Sequence, residues 1–331
     1  MHTPQQLLDI FNQALAAMPL DRQPRGLYDP VRYVLSLGGK RIRPVLMLMA
    51  YELYRDDIES IMPIALGIET YHNYTLLHDD VMDRADVRRG KPTVHRVWDD
   101  NSAILSGDAM LVLAYQLMSQ ARPQVLKDVL DLFTTTALEI GEGQQYDMEF
   151  EKRLDVSEQE YIEMIRLKTS VLLACALKLG AMQAGAPDAD SRHLYAFGEH
   201  LGLAFQLQDD LLDVYGDFAT FGKRIGGDIL EGKKTFMLIN ALRLATDSQR
   251  ADLEAWLQRP TDGSNPLACQ AEEKIAAVTA IYDAVGVRQL AEAKIAHYFD
   301  AALDDLEAVA LPSERKQPLL ALSRSLMGRQ S

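Results

Sequence analysis

The sequence predicts an all-α fold, a large helical bundle built as a single domain over residues 1–331 around a central cavity. Three observations predict it. Apolar residues recur at helical spacing in segment after segment, and no stretch shows a convincing strand period. β-branched runs are few, and 331 residues with 48% hydrophobic content are enough to bury a large core. Two acidic clusters, Asp79-Asp80-Val81-Met82-Asp83 and Asp209-Asp210-Leu211-Leu212-Asp213, each close an apolar helical run, so one cavity with two acidic walls is expected.

Taken in order, residues 4–19 form an amphipathic helix, with Leu7, Leu8, Phe11, Leu15 and Met18 near helical spacing. Residues 19–30 read as a connector and 31–37 as a short helix ended by Gly38-Gly39. Lys40-Arg41-Ile42-Arg43-Pro44 then opens a helix over 45–55. Three cations around a glycine pair at a helix start make a small anion site, where backbone N–H groups and cationic side chains converge. The competing reading is a basic loop behind a glycine C-cap.

Residues 61–83 form the buried helix that carries the first acidic cluster, with Asp79 and Asp83 one turn apart on one face and Asp80 beside them. Crowded carboxylates repel each other, and a divalent cation removes that cost. Mg²⁺ takes one or two carboxylates and completes its shell with water and phosphate oxygens. A solvated acidic helix end is the bland alternative. The second cluster weighs against it, because cations held between two acidic walls would grip a polyanion such as a diphosphate. His72, two turns before Asp79, is either a hydrogen-bonded core residue or a donor to a bound phosphate.

Residues 84–96 read as a polar loop. Its Arg88 and Arg89 would complete the shell of a chelated diphosphate or simply neutralise nearby acids. Helices follow over 101–121 and 125–150. Gly141 and Gly143 inside the second cost about 1 kcal/mol each, which implies close approach of another helix or a ligand. Ser157-Glu158-Gln159-Glu160 carries a capping-box pattern and opens a helix over 157–179. Lys168-Thr169-Ser170 interrupts its apolar face, and a buried lysine is expensive unless paired, so Lys168 is expected to meet an anion. Residues 181–192 read as a loop, 191–215 as the helix of the second cluster, and 216–232 as a mobile glycine-rich flap with cations above that cluster. Helices are expected over 236–244, 248–257, 270–309 and 313–327, with 259–266 as the clearest loop.

A formal net charge of −14 argues against nucleic acid as a partner, since no basic stripe could neutralise phosphates, and against steady binding to anionic membranes. Cys175, in an apolar run, reads as a small core residue, and Cys175 with Cys269 makes neither a disulfide framework nor a zinc spacing. The first residues lack the basic-then-apolar pattern of a secretory signal. No uncharged apolar run approaches the roughly 18 residues of a membrane span. The expectation is a soluble, cytoplasmic protein with no stable membrane anchor.

The segments GGKRIRP (38–44), LLHDDVMDRADVRRGKPTVH (76–95), GD (107–108), KTS (168–170), FQLQDDLLD (205–213) and FGKRIGGDILEGKKT (221–235) together resemble the trans-prenyltransferases, the (E)-isoprenyl diphosphate synthases. The resemblance runs from about residue 30 to 240 and more loosely to the end. It implies the isoprenoid synthase fold, one polyprenyl synthetase domain, a homodimer, and condensation of isopentenyl diphosphate with an allylic diphosphate. It implies Mg²⁺, three ions per site with Mn²⁺ as a substitute, held by Asp79, Asp80 and Asp83 on one wall and Asp209, Asp210 and Asp213 on the other. The outer members, Asp79, Asp83, Asp209 and Asp213, are the expected direct ligands. Arg88, Lys168, Lys223 and Lys233 would hold the allylic diphosphate, and Lys40, Arg43, His72 and Arg89 the isopentenyl diphosphate without metal. Thr169 and Gln208 would stabilise an allylic cation by their dipoles. The departing diphosphate takes the final proton, so no His or Glu base is required.

Product length is expected to be set on the helix before Asp79, by Tyr71, Tyr74 and Thr75. One helical turn rises about 5.4 Å, close to one isoprene unit, so side-chain size per turn sets a depth stop. Bulky Tyr74 beside small Thr75 implies a short product, C15 to C20. The first cluster lacks the two extra residues usual in bacterial farnesyl synthases and resembles the geranylgeranyl type, which favours C20. A longer-chain polyprenyl synthase is the alternative in product length. A class I terpene cyclase would carry an N/S/E metal motif in place of the second DDxxD. A non-catalytic partner subunit would have lost aspartates, and none is lost. A di-iron bundle needs two Glu-x-x-His motifs, and the chain has one, Glu69-Thr70-Tyr71-His72.

Overall fold

A computed structural model describes residues 1–216, 225–259 and 268–328. They are predominantly helical. The first helices are α1 (Pro4–Ala16), α2 (Arg25–Ser36), α3 (Ile42–Glu52) and α4 (Met62–Met82). A two-stranded hairpin, β1 (Val87–Arg88) with β2 (Lys91–Pro92), precedes α5 (Val94–Val97), α6 (Asp100–Met118) and α7 (Leu126–Phe150). Then come α8 (Glu158–Ile165), a π-helical turn (Arg166–Ser170), α9 (Val171–Ala184) and α10 (Asp188–Tyr215). The chain ends with α11 (Gly227–Glu231), α12 (Phe236–Leu244), α13 (Asp247–Leu257), α14 (Ala268–Val285), α15 (Val287–Ala308) and α16 (Ser313–Met327). The all-α expectation holds.

Contacts divide the chain into two compact units. One comprises Met1–Thr135, Cys175–Tyr195 and Ala308–Leu319, the other Thr136–Ala174, Ala196–Glu307 and Leu320–Ser331. In the first unit α4 runs along α6. Gly67 of α4 lies against Ala114, Leu117 and Met118 of α6, and Gly107 of α6 lies against the His78 ring, so missing Cβ atoms let the two helices close up. Leu77 joins Val31, Val34 and Leu35 of α2 and Ala103 and Met110 of α6 in one apolar cluster. Gly180 of α9 does the same for α3, meeting the Met47 carbonyl and the Tyr51 nitrogen. In the second unit Leu203, Leu207, Leu211 and Val214 of α10 pack with Phe236–Ile239 of α12 and with Val278 and Tyr282 of α14.

The structure departs from the sequence expectation where packing overrides local signals. Helix α2 begins at Arg25 and runs through Pro30. The proline removes one backbone hydrogen bond, but Val31, Val34 and Leu35 are buried and hold the helix together. The expected loop at 181–192 shrinks because α9 continues to Ala184 and α10 starts at Asp188, with Gly185 in a left-handed conformation between them. The helical stretch expected over 270–309 consists of two helices that meet at Gly286, which also has a positive φ. The expected polar loop at 84–96 contains the hairpin, whose tip residues Arg89 (φ 53°) and Gly90 (φ 73°) take the conformations of a two-residue primed turn. The helix expected over 157–179 is interrupted by the π turn at the residues that break its apolar face. Of the expected flap, 225–232 carries α11, and 217–224 lies outside the described residues.

Candidate active site

In the first unit Asp79 and Asp80 lie in the last turn of α4 and Asp83 caps its C-terminus. The hairpin brings Arg88 onto Asp80: Nε donates at 2.9 Å and Nη2 at 2.6 Å, both to Oδ1. Asp80 is buried; burial raises its pKa, and the Arg88 contacts oppose the rise. Asp79 is half-buried and Asp83 exposed. The middle aspartate is therefore braced internally, and the outer two face more open surroundings.

Two turns back along α4, His72 Nε2 accepts from Arg43 Nη1 at 3.2 Å, which places the ring proton on Nδ1. Arg89, at the hairpin tip, donates from Nη1 to the Gly38 carbonyl and lies 3.5 Å from Asn73 Oδ1. Gly39 has φ 125°, which favours glycine, and a Cβ there would stand 2.7 Å from Arg89 Cζ, so the Arg89 side chain would have to shift. Arg41 turns inward, donating to Glu69 Oε1 and to the Leu35 carbonyl, each at 2.6 Å. Of the three cations after the glycine pair, Arg41 is thus an internal brace, Arg43 meets His72, and Lys40 is exposed. Burial, then Arg43, Arg89, Arg41 and Arg88, hold the His72 pKa well below 6.5. Burial pushes Arg43 down to about 10, with Glu69 opposing and Arg89 adding to the fall. Arg43 Nε has no hydrogen-bond partner. Cations crowded together in this way are relieved by an entering anion.

In the second unit a pocket is lined by five carboxylates, Asp147, Asp209, Asp210, Asp213 and Asp228, and three lysines, Lys168, Lys233 and Lys234. Asp210 is the buried middle member. It accepts from the Tyr161 hydroxyl and, at 3.1 Å, from Gln206 Nε2. Burial pushes its pKa up to about 7 with help from Asp228, while Tyr161, Gln206 and Lys233 oppose. Asp213 Oδ2 accepts from the Asp228 N–H at 3.0 Å, which ties α10 to the start of α11. Lys168 Nζ donates to Asp147 Oδ2 at 2.6 Å, and Thr169 Oγ1 to Gln206 Oε1 at 3.3 Å. Burial alone would lower the Lys233 pKa, but Asp228, Asp147, Asp210 and Glu231 outweigh it and raise it.

Lys168, Thr169, Lys233, Asp209, Asp210 and Asp213 thus come together in one pocket. Gln208 does not line it; Gln206 stands beside Thr169 and Asp210 instead. Helical spacing carries that signal, since 206, 209, 210 and 213 share one face and 208 does not. Tyr161, Asp147 and Asp228 also line the pocket without having been singled out in the sequence. Lys223 lies outside the described residues. In the first unit Tyr71 is buried, its ring 5.2 Å edge-on from Phe133 and 5.4 Å from Tyr74. The Tyr74 ring packs edge-on against His78 at 4.8 Å, and Thr75 Oγ1 donates to the His72 carbonyl at 2.8 Å.

Among the described residues no group of three or more His, Cys, Asp or Glu side chains converges to hold a metal alone. Each cluster instead offers neighbouring carboxylates, the donor set for a hard ion that completes its shell with water and substrate oxygens. Among the described residues no helix is long and apolar enough to cross a membrane.

An all-helical protein with two aspartate-rich helices and an arginine–histidine cluster is of a class built to handle anionic substrates. A model of the polyprenyl synthetase family matches residues 24–273. The chain is 42% identical over 226 residues to a geranylgeranyl diphosphate synthase of Methanosarcina mazei, covering 68% of this chain and 69% of that one. It is 35% identical over 311 residues to a short chain isoprenyl diphosphate synthase of Methanothermobacter thermautotrophicus, covering 94% and 92%. A crystal structure of a geranylgeranyl pyrophosphate synthase superposes with a TM-score of 0.94 at 43% identity, covering all of both chains. The chain belongs to the polyprenyl synthetase family, and its all-α fold is the isoprenoid synthase fold.

Proposed function

We propose that this chain is a short-chain (E)-prenyl diphosphate synthase that condenses isopentenyl diphosphate with allylic diphosphates, with geranylgeranyl diphosphate as the main product. The observation that carries the reading is the same arrangement in both acidic motifs. In each the middle aspartate is buried and hydrogen-bonded, Asp80 by Arg88 and Asp210 by Tyr161 and Gln206, while the first, Asp79 or Asp209, is half-buried. The relatives described above carry geranylgeranyl or short-chain names, which supports the product class.

Asp79 and Asp83, with Asp209 and Asp213, would hold Mg²⁺, three ions per site and replaceable by Mn²⁺. Bound there, the metal withdraws charge from a leaving diphosphate. Lys168, Lys233, Arg88 and Lys223 would bind the allylic diphosphate. Arg43, His72, Arg89 and Lys40 would bind the isopentenyl diphosphate; His72 Nε2 already accepts from Arg43, so Nδ1 is the ring's donor. Thr169 orients its hydroxyl on Gln206, and the dipoles of this pair would stabilise the allylic cation. The isopentenyl double bond attacks C1 of that cation, and the released diphosphate accepts the proton lost afterwards. We also propose that the two compact units act as one polyprenyl synthetase domain, since the family match runs through segments of both. A cytoplasmic homodimer completes the reading.

The test is incubation of the purified chain with labelled isopentenyl diphosphate and a C5, C10 or C15 allylic primer, followed by chromatography of the dephosphorylated products. The expected result is a C20 product from each primer, abolished by EDTA and restored by Mg²⁺ or Mn²⁺. No incorporation with any primer would overturn the reading.

A further inference from the structure

The π turn that carries Lys168 and Thr169 is held from two sides. On α7, Glu139, Gly143 and Asp147 follow at four-residue spacing, so they stack on one face. On α10, Glu199, Gly202 and Gln206 do the same at spacings of three and four. Each ladder offers a carboxylate, then a glycine, then a polar partner. Gly143 lies where a Cβ would meet Lys168 Cα at 2.8 Å and Leu167 C at 2.9 Å; on Gly202 it would meet Ser170 Cα at 2.7 Å. The upper rungs take the side chains, Asp147 for Lys168 and Gln206 for Thr169. The lower rungs converge on one residue, Arg166, the first of the π turn. Its Nε and Nη2 donate to the two Glu163 oxygens at 2.8 Å each, a bidentate pair with α8. Its Nη1 donates to Glu199 Oε2 at 3.1 Å and lies 3.7 Å from Glu139 Oε1. Arg166 does not line the pocket.

A π turn inserts one residue into the helical ladder and is stable only where tertiary contacts enforce it, which is why such turns gather at functional sites. We propose that Arg166 is a positioning residue: by bridging Glu163, Glu139 and Glu199 it keeps the 166–170 turn between the two ladders and so aims Lys168 and Thr169 into the acidic pocket. The inference rests on the prenyl-transfer reading for the consequence, but the clamp is a property of the fold and is tested separately. Loss of the guanidinium lets the turn relax towards regular α-helix, which rotates Thr169 away from Gln206. A shift of that kind costs rate and weakens the hold of Lys168 on the allylic diphosphate, while the isopentenyl diphosphate site is untouched.

The test compares Arg166→Met, Arg166→Lys and Glu199→Gln with the parent chain. Amide hydrogen exchange over 166–170 reads the clamp without any turnover. Exchange there is expected to rise in Arg166→Met and to rise less in Arg166→Lys, which keeps one charged donor. In steady-state assays with Mg²⁺, kcat is expected to fall ~10- to 100-fold in Arg166→Met, with KM for isopentenyl diphosphate changed less than about twofold and partial recovery in Arg166→Lys. Glu199→Gln, which keeps the shape and removes one charge, should show a smaller loss in the same direction and guards against a misfolded methionine variant. Unchanged exchange over 166–170 in Arg166→Met would overturn the clamp. Raised exchange with unaltered kcat would overturn the positioning role. An inactive parent chain whose variants still show raised exchange would overturn the prenyl-transfer reading and leave the clamp standing.

Discussion

Single residues at the two sites are tuned mainly by burial and by what burial forces them to pair with. His72 is the clearest case. Burial and four nearby arginines hold its pKa well below 6.5. As pH falls through 6.5 the unfolded chain takes up a proton on this ring and the folded chain does not, so stability falls on acidification; above that pH both states are neutral and the contribution is flat. The urea midpoint should therefore drop between about pH 7 and pH 5, and less steeply in His72→Gln, whose amide oxygen can still accept from Arg43. Equal slopes in the two proteins would mean that His72 titrates normally. Tyr74 is a second residue-scale test. Its ring is wedged between His78 at 4.8 Å and Tyr71 at 5.4 Å, one turn and more before Asp79. If this ring is the floor of the tail pocket, Tyr74→Ala should shift the product to C25 or longer, read by chromatography; an unchanged product would place the floor elsewhere.

At the scale of elements, glycine decides where helices stop and how closely they approach. Gly286 separates α14 from α15 with a φ of 73°, a conformation that costs an L-residue about 1–2 kcal/mol. Gly286→Ala should lower unfolding free energy by about that amount in urea titration, with little effect on turnover because no proposed site residue is nearby in sequence. No loss would mean that the break relaxes into one continuous helix. The hairpin shows the opposite limit. Residues 84–96 contain no apolar periodicity, yet Arg89 and Gly90 turn the chain so that Arg88 meets Asp80 and Arg89 lies over Gly38 and Gly39. Without the hairpin the first acidic cluster would keep its spacing and lose its brace.

For the whole molecule, the homodimer proposed above predicts that light scattering coupled to size exclusion gives a mass twice the 37.0 kDa of one chain; a monomer active in the incorporation assay would remove the dimer from the proposal. The all-α class, both aspartate motifs and most of the cationic residues were legible in the sequence. They are legible because residues three and four apart on a helix share a face whatever the rest of the chain does, so their chemistry is written in local spacing. The same spacing rule corrects Gln208 to Gln206, which shares a face with Asp209, Asp210 and Asp213 and lines the pocket. Other features had no such signature. Nothing local joins Arg88 to Asp80, Tyr161 to Asp210, or Arg166 to Glu139 and Glu199. Those pairs exist because tertiary packing sets the hairpin beside the end of α4 and sets α7, α8 and α10 side by side, with Gly143 and Gly202 against the π turn, and a buried charge must then take whichever partner the packing presents. Spacing along one helix determined which carboxylates and amides share a face; the approach of separate elements decided which of them are buried and braced, as Asp80 and Asp210 are.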